Sequence, residues 1–594
     1  MFEGGKTRNL LHIIAFLVFS YAFLLAIKPL SDPDLFWHIK SGQWIVENRS
    51  LPARDPFSFT TPAPLTKSIL LGLRSQWLGQ VIFYLVYKVG GLAGLSVFRA
   101  TLIVCPFLLL YLLFVRRGAH PLSALAITGA PLFIIILNLA YTYERPQAFS
   151  FLFAALLLLV LDKLRAGPAV SHYFFLAVLM ALWSNMHGGF ILGDALIIAF
   201  AAGLVFNFVI YRNRDGLKTI PVLASGIAAS FLNPGSYKLA YNYLSGFLPS
   251  FSSSTGISAA YTSNIFEYRS LWFFYNNLHI TYPLYVFAFI LAATIVLAVK
   301  YIRHSIDFPE LFTAALLIVF GVHYARGAAF ALTAMPLFML PDARRSSEKK
   351  PVSGNFSFLA PSAGSVIIIA LVFFTVLKNP SGLKPLDIKD GWVSGTYPEG
   401  AVEFIVKNNV RGPMFNKLEW GGYLLWKMPG GYKDFIDGRL VDTRTVWAYL
   451  AVIGAKDNWS GILDSFGVNS ILTEVVFEPA EEVVPLVQAI IGEGKNHPEW
   501  KLVYLDGNTA LFVKNTKGNE YLTDRFEVPY KLLYASMLEE SDYLMSTRPC
   551  ENALLIRGMA LYGLGRLDEA AQVFESLPPS PVVLDYLKRI KKGT

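Results

Sequence analysis

Long apolar runs alternate with short polar loops over the first 380 residues, and no such run follows them. About eleven of these runs are typical of membrane-crossing helices, which need a largely apolar stretch. They lie near residues 10–30, 93–115, 122–140, 148–161, 172–186, 189–210, 219–233, 281–301, 308–323, 327–341 and 363–379. The pattern therefore predicts a multi-span α-helical membrane domain over residues 1–380.

Basic residues fall in every second loop between these runs. They are Lys6, Arg8, Arg116, Arg117, Lys163, Arg165, Arg212, Arg214, Lys218, Lys300, Arg303, Arg344, Arg345, Lys349 and Lys350. Because lysine and arginine are enriched in cytoplasmic loops, this predicts a multi-pass protein of the cytoplasmic (inner) membrane with a cytoplasmic N-terminus. An odd number of spans then places residues 381–594 outside the cytoplasm.

The extracytoplasmic part is predicted to contain two regions. Over residues 381–526, helical stretches alternate with short β-like runs, which favours a small α/β domain. The β-like runs are Lys433–Ile436, Ser470–Glu474, Lys501–Leu505 and Ala510–Lys514. Residues 527–594 are helical in pattern, and Asn552–Leu577 resembles one tetratricopeptide-type helix pair. We expect this C-terminal region to pack on the α/β domain and to offer a surface to a protein partner.

Two predicted outer loops are long, residues 31–92 and 234–280. Residues 76–89 in the first are too few and too amphipathic to span a bilayer, so we expect an interfacial or re-entrant helix.

Composition agrees with a membrane protein and excludes two classes of site. Only 16% of the residues are charged, against about a quarter in soluble domains. The net charge of +9 is explained by the basic loops, so a nucleic-acid partner is not expected. Cys105 and Cys550 lie far apart, which excludes a disulfide framework or a cysteine-rich metal cluster.

The unusual polar residues collect at the predicted outer face. Polar groups at membrane depth are costly and tend to be functional, so their collection on one side indicates a single site there. The strongest cluster, Ser31–His38, directly follows the first span. Asp32 before Pro33 is typical of a helix N-cap. Asp34 is not needed for capping, and it lies four residues from His38 on one helix face. Carboxylates and an imidazole there could activate a hydroxyl or hold a divalent ion.

Further candidates lie at the same predicted face. They are Glu144 and Arg145 before Pro146, His187 and Asp194 around a glycine turn, Glu267 in the second long loop, and Arg326 after His323. Each has a structural alternative: a turn, a buried hydrogen-bonded pair, or an arginine snorkelling to the interface. A guanidinium suits a phosphate, which makes Arg326 the leading phosphate ligand. In the α/β domain, Tyr423 and Arg439 are candidates for glycan contact or else belong to tight turns.

These motifs resemble the GT-C class of membrane glycosyltransferases, which use polyprenyl-phosphate-linked sugars at the outer membrane face. Asp34–Lys40 is similar in register to the first-loop motif Asp-Pro-aromatic-Phe-Asn-Tyr-Arg of oligosaccharyltransferase catalytic subunits. Residues 32–60, Trp183–Phe190, His323–Arg326, Trp420–Tyr423 and Phe435–Arg439 resemble uncharacterised bacterial members of the class. The chain is also loosely similar to protein O-mannosyltransferase catalytic subunits. The sequence has no Trp-Trp-Asp-Tyr-Gly motif, so the resemblance does not extend to asparagine glycosylation.

The resemblance implies a GT-C-like fold and sugar transfer to a glycan, lipid or protein acceptor. The implied catalytic residues are Asp34, Asp32 and His38; the donor-phosphate ligands are Arg326, Arg145 and His187; the acidic or acceptor contacts are Glu144, Asp194, Glu267, Tyr423 and Arg439. Asp34 is also a candidate ligand for a divalent metal, Mg or Mn. Two alternatives remain, a non-catalytic envelope assembly protein and a lipid or polysaccharide transporter, although the internal repeats of many transporters are not visible here.

The predicted topology can be tested with reporters fused to the chain. A reporter after Lys384 should be external and one after Arg345 cytoplasmic, because the basic loops orient the spans. Paired alkaline phosphatase and fluorescent-protein fusions measure the two locations. A cytoplasmic reporter at Lys384 would contradict the common outer face.

Overall fold

The structure, a computed structural model, describes residues 5–62, 64–247, 269–278, 280–303, 306–339, 393, 397–477, 482–493, 499–547 and 550–593. The chain forms two compact units. The first comprises Met1–Leu51 and Leu70–Gly395, and the second comprises Pro52–Ile69 and Thr396–Thr594. The predicted domain boundaries near residues 381 and 527 stay predictions, but the inclusion of residues 52–69 in the second unit has no signal in the sequence.

Helices joined by short loops build the first unit. In chain order they are α1 (Gly5–Ala26), α2 (Asp34–Asn48), α3 (Lys67–Arg74, across the boundary of the units), α4 (Trp77–Arg116), α5 (Pro121–Asn138), α6 (Gln147–Leu164), α7 (Val170–Met186), α8 (Phe190–Tyr211), α9 (Ile220–Ser230), α10 (Tyr237–Phe247), α11 (Leu271–Leu278), α12 (Tyr282–Arg303), α13 (Phe308–His323) and α14 (Ala325–Ala334). Short 3₁₀ turns lie at Ala140–Tyr143, Asp215–Thr219 and Met335–Met339.

Among the described residues, six helices are long and apolar enough to cross a membrane, and three shorter apolar helices accompany them. The long ones fall in Arg8–Ala26, Lys67–Arg116, Pro121–Asn138, Gln147–Leu164, Phe190–Tyr211 and Tyr282–Ile302. The chain is therefore a multi-pass membrane protein. The predicted number of about eleven spans is not confirmed. The predicted span at 363–379 lies outside the described residues.

The predicted interfacial helix and the predicted second span are two parts of α4, which breaks at Gly91. This residue has φ 61° and ψ −155°, a conformation that a side chain would strain. The break separates residues 77–90 from the apolar run that begins near residue 93. Glycine therefore lets one helix turn into another without an intervening loop.

Helix α2 packs closely on α4 because a glycine lies at their contact. A Cβ atom on Gly42 would come within 2.1 Å of the carbonyl oxygen of Gln80, so only glycine allows this approach. Leu35, Phe36 and Ile39 on α2 are almost fully buried. The packing fixes the direction in which α2 leaves the first loop.

The second unit contains the expected sheet and surrounding helices. A four-stranded sheet has the order β1 (Met414–Asn416), β2 (Ser470–Glu474), β6 (Thr509–Lys514), β5 (Trp500–Asp506), and β3 (Val476–Phe477) pairs with β4 (Glu482–Val483). Strand β1 is parallel to β2, and the remaining pairs are antiparallel. The helices are α15 (Glu399–Lys407), α16 (Leu418–Lys427), α17 (Thr443–Ile453), α18 (Trp459–Ser465), α19 (Pro485–Glu493), α20 (Glu520–Phe526), α21 (Tyr530–Thr547), α22 (Glu551–Gly563), α23 (Leu567–Ser576) and α24 (Pro581–Gly593).

The C-terminal helices share one hydrophobic core with the sheet. Trp500 and Phe512 from the strands belong to the same buried cluster as Met537, Met559 and Phe574 from the helices. The helices therefore contribute to the folding of the whole unit. The tetratricopeptide resemblance and the role of these helices in binding a partner stay predictions.

The predicted strand at Lys433–Ile436 is wrong. Asp434 forms a single parallel bridge with Ser58, and its main chain bonds to Phe57 and Phe59 on either side. The partner segment comes from residues 52–69, so a local sequence pattern could not identify it. The buried side chain of Asp434 also interrupts the apolar alternation that a strand needs.

A buried charge cluster joins this segment to the rest of the second unit. The guanidinium of Arg439 bonds to Asp437 at 2.8 Å, to Asp55 at 2.7 Å and to Ser58 at 2.9 Å. Ser58 donates to Asp434 at 2.6 Å. Burial and the neighbouring Asp437 raise the pKa of Asp434 well above its ordinary value, which favours the protonated form of this carboxyl. The carboxylates of Asp55 and Asp437 form the ion pairs with the guanidinium of Arg439.

Removing Arg439 should destabilise the second unit. Arg439→Met leaves Asp55 and Asp437 buried without their cation, which should lower the free energy of unfolding by about 3–5 kcal/mol. Pulse proteolysis of the full-length protein over a urea series measures this. Arg444→Met is the control, because Arg444 is exposed beside Asp442 and should cost no more than about 1 kcal/mol. Equal stability of the two variants would contradict the structural role of Arg439.

Candidate functional site

The loop between α1 and α2 presents the acidic cluster that the sequence singles out. Helix α2 begins at Asp34, and the side chain of Asp32 accepts a hydrogen bond from the backbone N–H of Asp34 at 3.0 Å. The predicted N-cap is displaced by one residue: Pro33 is the N-cap and makes no side-chain cap bond, and Asp32 before it bonds to the first N–H of the helix. Asp34 is the first residue of the helix, where the helix dipole favours a negative charge.

Two side chains orient the carboxylate of Asp34. The indole Nε1 of Trp37 donates to Oδ1 at 3.0 Å, and Nη1 of Arg145 donates to Oδ2 at 2.5 Å. Trp37 lies one turn along the same helix, and Arg145 comes from the loop between α5 and α6. The side chain of Asp34 keeps 20% of its surface exposed, so it remains accessible.

Arg145 also contacts Asp32, whose Oδ2 lies 2.8 Å from the arginine Nε. One guanidinium therefore lies between two carboxylates, with only 15% of its own side chain exposed. Such a pair is strong only when its geometry is fixed, because both partners lose water on burial. Arg145 lies in a short connection between the 3₁₀ turn Ala140–Tyr143 and Pro146, which is the N-cap of α6.

A second buried ion pair, between Arg99 and Glu144, stabilises the backbone of the loop between α1 and α2. Glu144 pairs with Arg99, and its Oε2 accepts the backbone N–H groups of Ser31 at 2.6 Å and of Asp32 at 2.7 Å. Arg99 also donates to the carbonyl of Ala26 at 2.9 Å, at the C-terminus of α1. The unsatisfied carbonyls of a helix end attract a cation, and Arg99 supplies it. Glu144 is thus a structural anchor of the loop.

Two histidines lie next to the acidic cluster. His38 on α2 is almost fully buried, and burial lowers its pKa well below the ordinary value, with Arg145 and then His187 lowering it further. His38 is therefore neutral at pH 7. Its Nδ1 has no hydrogen-bond partner among the described residues. A neutral imidazole with an unengaged nitrogen can accept or relay a proton.

The ring of His187 is fixed by the turn between α7 and α8. Its Nδ1 accepts the backbone N–H of Gly189 at 3.0 Å and lies 2.8 Å from the hydroxyl of Ser150. That hydroxyl accepts the indole N–H of Trp183 at 2.8 Å. A Cβ atom on Gly189 would lie 2.4 Å from the Ser150 oxygen, so the glycine allows the close approach as well as the turn.

The other predicted site residues are placed as follows. Arg326 is half-buried in the first turn of α14. From the sequence, an acidic partner for Arg326 in the resting protein is expected among Asp34, Glu144 and Glu267. In the structure Asp34 contacts Arg145, and Glu144 contacts Arg99. The third, Glu267, lies outside the described residues. The binding of Arg326 to phosphate stays a prediction.

Three predicted contacts are engaged elsewhere. Asp194 accepts a hydrogen bond from Ser230 at 3.0 Å within the helices of the first unit. Tyr423 is 1% exposed and donates to Glu399 at 3.0 Å within the second unit. Arg439 belongs to the buried cluster described above. None of these contacts favours a role in binding the acceptor, and that role stays a prediction.

The side chains of this site do not fit a divalent metal. No group of three or more His, Cys, Asp or Glu residues within the described ranges could hold one. One carboxylate oxygen of Asp32 and one of Asp34 contact the guanidinium of Arg145. The predicted Mg or Mn on Asp34 is therefore not supported by the donor set.

Sequence reasoning missed Arg99 and the orienting role of Trp37. Arg99 is the only charged residue in the predicted span 93–115. A charge at that depth is rare and usually paired, so this signal was available in the sequence. The sequence does not identify Glu144 as the partner of Arg99, because the two residues are 45 positions apart and no pattern links them.

Comparison with solved structures identifies the fold of the chain. No protein-family model matches the chain, and no curated protein matches it by sequence. Among solved structures it is similar to the archaeal oligosaccharyltransferase AglB from Archaeoglobus fulgidus, which was solved in complex with an inhibitory peptide and a dolichol-phosphate. The TM-score is 0.54 at 11% sequence identity, and the match covers 96% of this chain and 87% of that one. The predicted GT-C-like fold is confirmed.

The pair of Arg99 and Glu144 should control the stability of the loop. Arg99→Met leaves Glu144 buried without its cation and should cost about 3–5 kcal/mol. The double variant Arg99→Met, Glu144→Gln should recover part of this loss, because no uncompensated charge remains. Thermal unfolding of the detergent-solubilised protein measures both. Arg117→Met is the control, since the pair of Arg117 with Asp162 is less buried and should matter less.

If Arg99→Met and Arg117→Met lowered stability equally, Arg99 would have no special structural role. If the double variant were no more stable than Arg99→Met, the loss would come from the broken hydrogen bonds to α1 rather than from an uncompensated Glu144.

Proposed function

We propose that this chain is a membrane glycosyltransferase. It transfers a sugar from a polyprenyl-phosphate-linked donor to an acceptor at the extracytoplasmic face. One observation carries the proposal: on a chain with the fold of an oligosaccharyltransferase, the carboxylate of Asp34 lies at a helix N-terminus just after the first helix and is held by Arg145 and Trp37. The complex of AglB with a dolichol-phosphate supports a lipid-linked donor of the same chemical class.

Asp34 acts as the general base in this proposal. Its carboxylate takes the proton of the acceptor hydroxyl as the oxygen attacks the anomeric carbon of the donor sugar. The bond from that carbon to the phosphate oxygen breaks, and the phosphate leaves with the bonding electrons. A single displacement of this kind inverts the anomeric configuration. Trp37 and Arg145 fix the carboxylate, so the reacting groups need no reorganisation.

Positive charge and a neutral imidazole complete the site. The departing phosphate gains negative charge, which preorganised cations stabilise most effectively. We assign this role to Arg326, with assistance from Arg145 and His187. His38 is neutral and buried beside Asp34, so it can pass the abstracted proton onward. Asp32 is a positioning residue, because its contacts are to the helix start and to Arg145.

The acceptor is a glycan, a lipid or a protein. AglB was solved with a peptide, which favours testing peptide acceptors first. The chain lacks the Trp-Trp-Asp-Tyr-Gly motif, so acceptor hydroxyl groups on serine, threonine or sugars are the first candidates.

Asp34→Asn should abolish transfer. The change keeps the volume of the side chain and removes the base, so activity should fall by about 100-fold or more. Asp32→Asn should retain far more activity, because the side-chain oxygen of asparagine can still accept the backbone N–H of Asp34. Purified protein is incubated with radiolabelled polyprenyl-phosphate sugars and a membrane extract, and transferred label is measured. Thermal unfolding of the same preparations controls for misfolding.

Equal transfer by Asp34→Asn and the wild type would remove the proposed base. Absence of transfer by the wild type with every donor of the set would instead favour the non-catalytic assembly protein.

A further inference from the structure

Three of the four carboxylate oxygens of the two site aspartates accept hydrogen bonds from the protein, and the fourth, Oδ2 of Asp32, makes an ion-pair contact. In Asp32, Oδ1 accepts the backbone N–H of Asp34 at 3.0 Å and Oδ2 lies 2.8 Å from Nε of Arg145. In Asp34, Oδ1 accepts from Trp37 at 3.0 Å and Oδ2 from Arg145 at 2.5 Å. Each aspartate thus gives one oxygen to the helix or its tryptophan and the other to the same guanidinium.

A divalent ion between the two aspartates would have to share or take over the oxygens that Arg145 contacts, since the other oxygen of each accepts from the backbone of Asp34 or from Trp37. Mg and Mn bind carboxylate oxygens at short distances, and Mg in particular demands near-ideal geometry. The ion would also lie against a guanidinium that cannot lose its proton. A further carboxylate, that of Glu144, accepts hydrogen bonds from the backbone of Ser31 and Asp32 and pairs with Arg99. The carboxylates near this position are therefore already paired with arginine side chains of the protein.

We infer that Arg145 takes the position of a divalent ion between Asp32 and Asp34. The cation of the site is then a side chain of the protein itself, that of Arg145. This inference rests on the proposed function only for its catalytic meaning: Arg145 would be a positioning residue that holds Asp34 toward the acceptor without a bound metal. The placement of the guanidinium itself is independent of the reaction.

The location of Arg145 in the sequence agrees with this role. It directly follows Glu144, whose pairing with Arg99 fixes the loop. The backbone next to Arg145 is therefore fixed, and the guanidinium of Arg145 contacts both aspartates. Lysine could not make the same arrangement, because its single ammonium cannot contact two carboxylates through a planar fork. It would still keep a positive charge at the position.

Manganese titration of the full-length detergent-solubilised protein tests the inference. Free Mn²⁺ is followed by its electron paramagnetic resonance signal, which is lost on binding. The wild type should show no Mn²⁺ site that depends on Asp34, as judged against Asp34→Asn. Arg145→Met should gain one site, with binding about tenfold or more tighter than in the wild type, because two carboxylates are left facing each other without a cation.

Arg145→Lys is the matched control, because it keeps the charge and should gain no site. The double variant Arg145→Met, Asp34→Asn should lose the gained site. An Asp34-dependent site in the wild type would overturn the inference, as would a folded Arg145→Met that gains none. If Arg145→Met fails to fold by gel filtration, the comparison of wild type, Asp34→Asn and Arg145→Lys decides.

These titrations need no enzyme activity, so failure of the glycosyltransferase proposal leaves them interpretable. Where transfer is observed, wild-type activity should be unchanged within about twofold after treatment with a chelator, because Arg145 cannot be removed by it. A loss of transfer that added Mn²⁺ restores would overturn the inference while supporting the proposed function.

Discussion

The buried ion pair of Arg99 and Glu144 fixes the geometry on which the candidate site depends. Both partners are almost fully removed from water, which alone would cost several kcal/mol. The structure offsets this cost by giving each partner further hydrogen bonds. Arg99 donates to carbonyls at the end of α1, and Glu144 accepts the N–H groups of Ser31 and Asp32. The pair therefore determines where the chain leaves α1 and how it enters α2.

The anchored loop supplies two opposite charges from consecutive residues. Glu144 is directed to the end of α1, and Arg145 to the two aspartates of the first loop. The same short segment thus supports the backbone of the acidic cluster and neutralises its side chains. A change at Glu144 would consequently move Arg145, although Glu144 has no contact with the reacting carboxylate of Asp34 in our proposal. Loss of activity at Glu144 alone would not identify it as a catalytic residue.

The sequence predicts the parts of this arrangement that depend on local pattern. Apolar runs predict the helices, and the spacing of Asp32, Asp34 and His38 predicts a capped helix with a carboxylate and an imidazole nearby. The sequence does not predict contacts between distant segments. Residues 52–69 join the second unit, and Arg439 pairs there with Asp55, across 384 positions. Arg439 therefore resembles a ligand-binding arginine in the sequence, whereas its contacts in the structure hold the fold together.

The charges around the first loop constrain how a donor phosphate can bind. The two arginines Arg99 and Arg145 face three acidic side chains, those of Asp32, Asp34 and Glu144, and His38 is neutral. The cluster as a whole is therefore negative by one charge when its carboxyl groups are ionised, and it would repel a phosphate. An additional cation is needed to bring a lipid-linked phosphate to Asp34. Arg145 already contacts two carboxylates, so under the proposed function we assign the binding of the phosphate mainly to Arg326. Under the proposed function, Arg145 then holds the carboxylate of Asp34, and Arg326 binds the departing phosphate. Because the two roles belong to different arginines, neither guanidinium has to pair with both the aspartate and the phosphate.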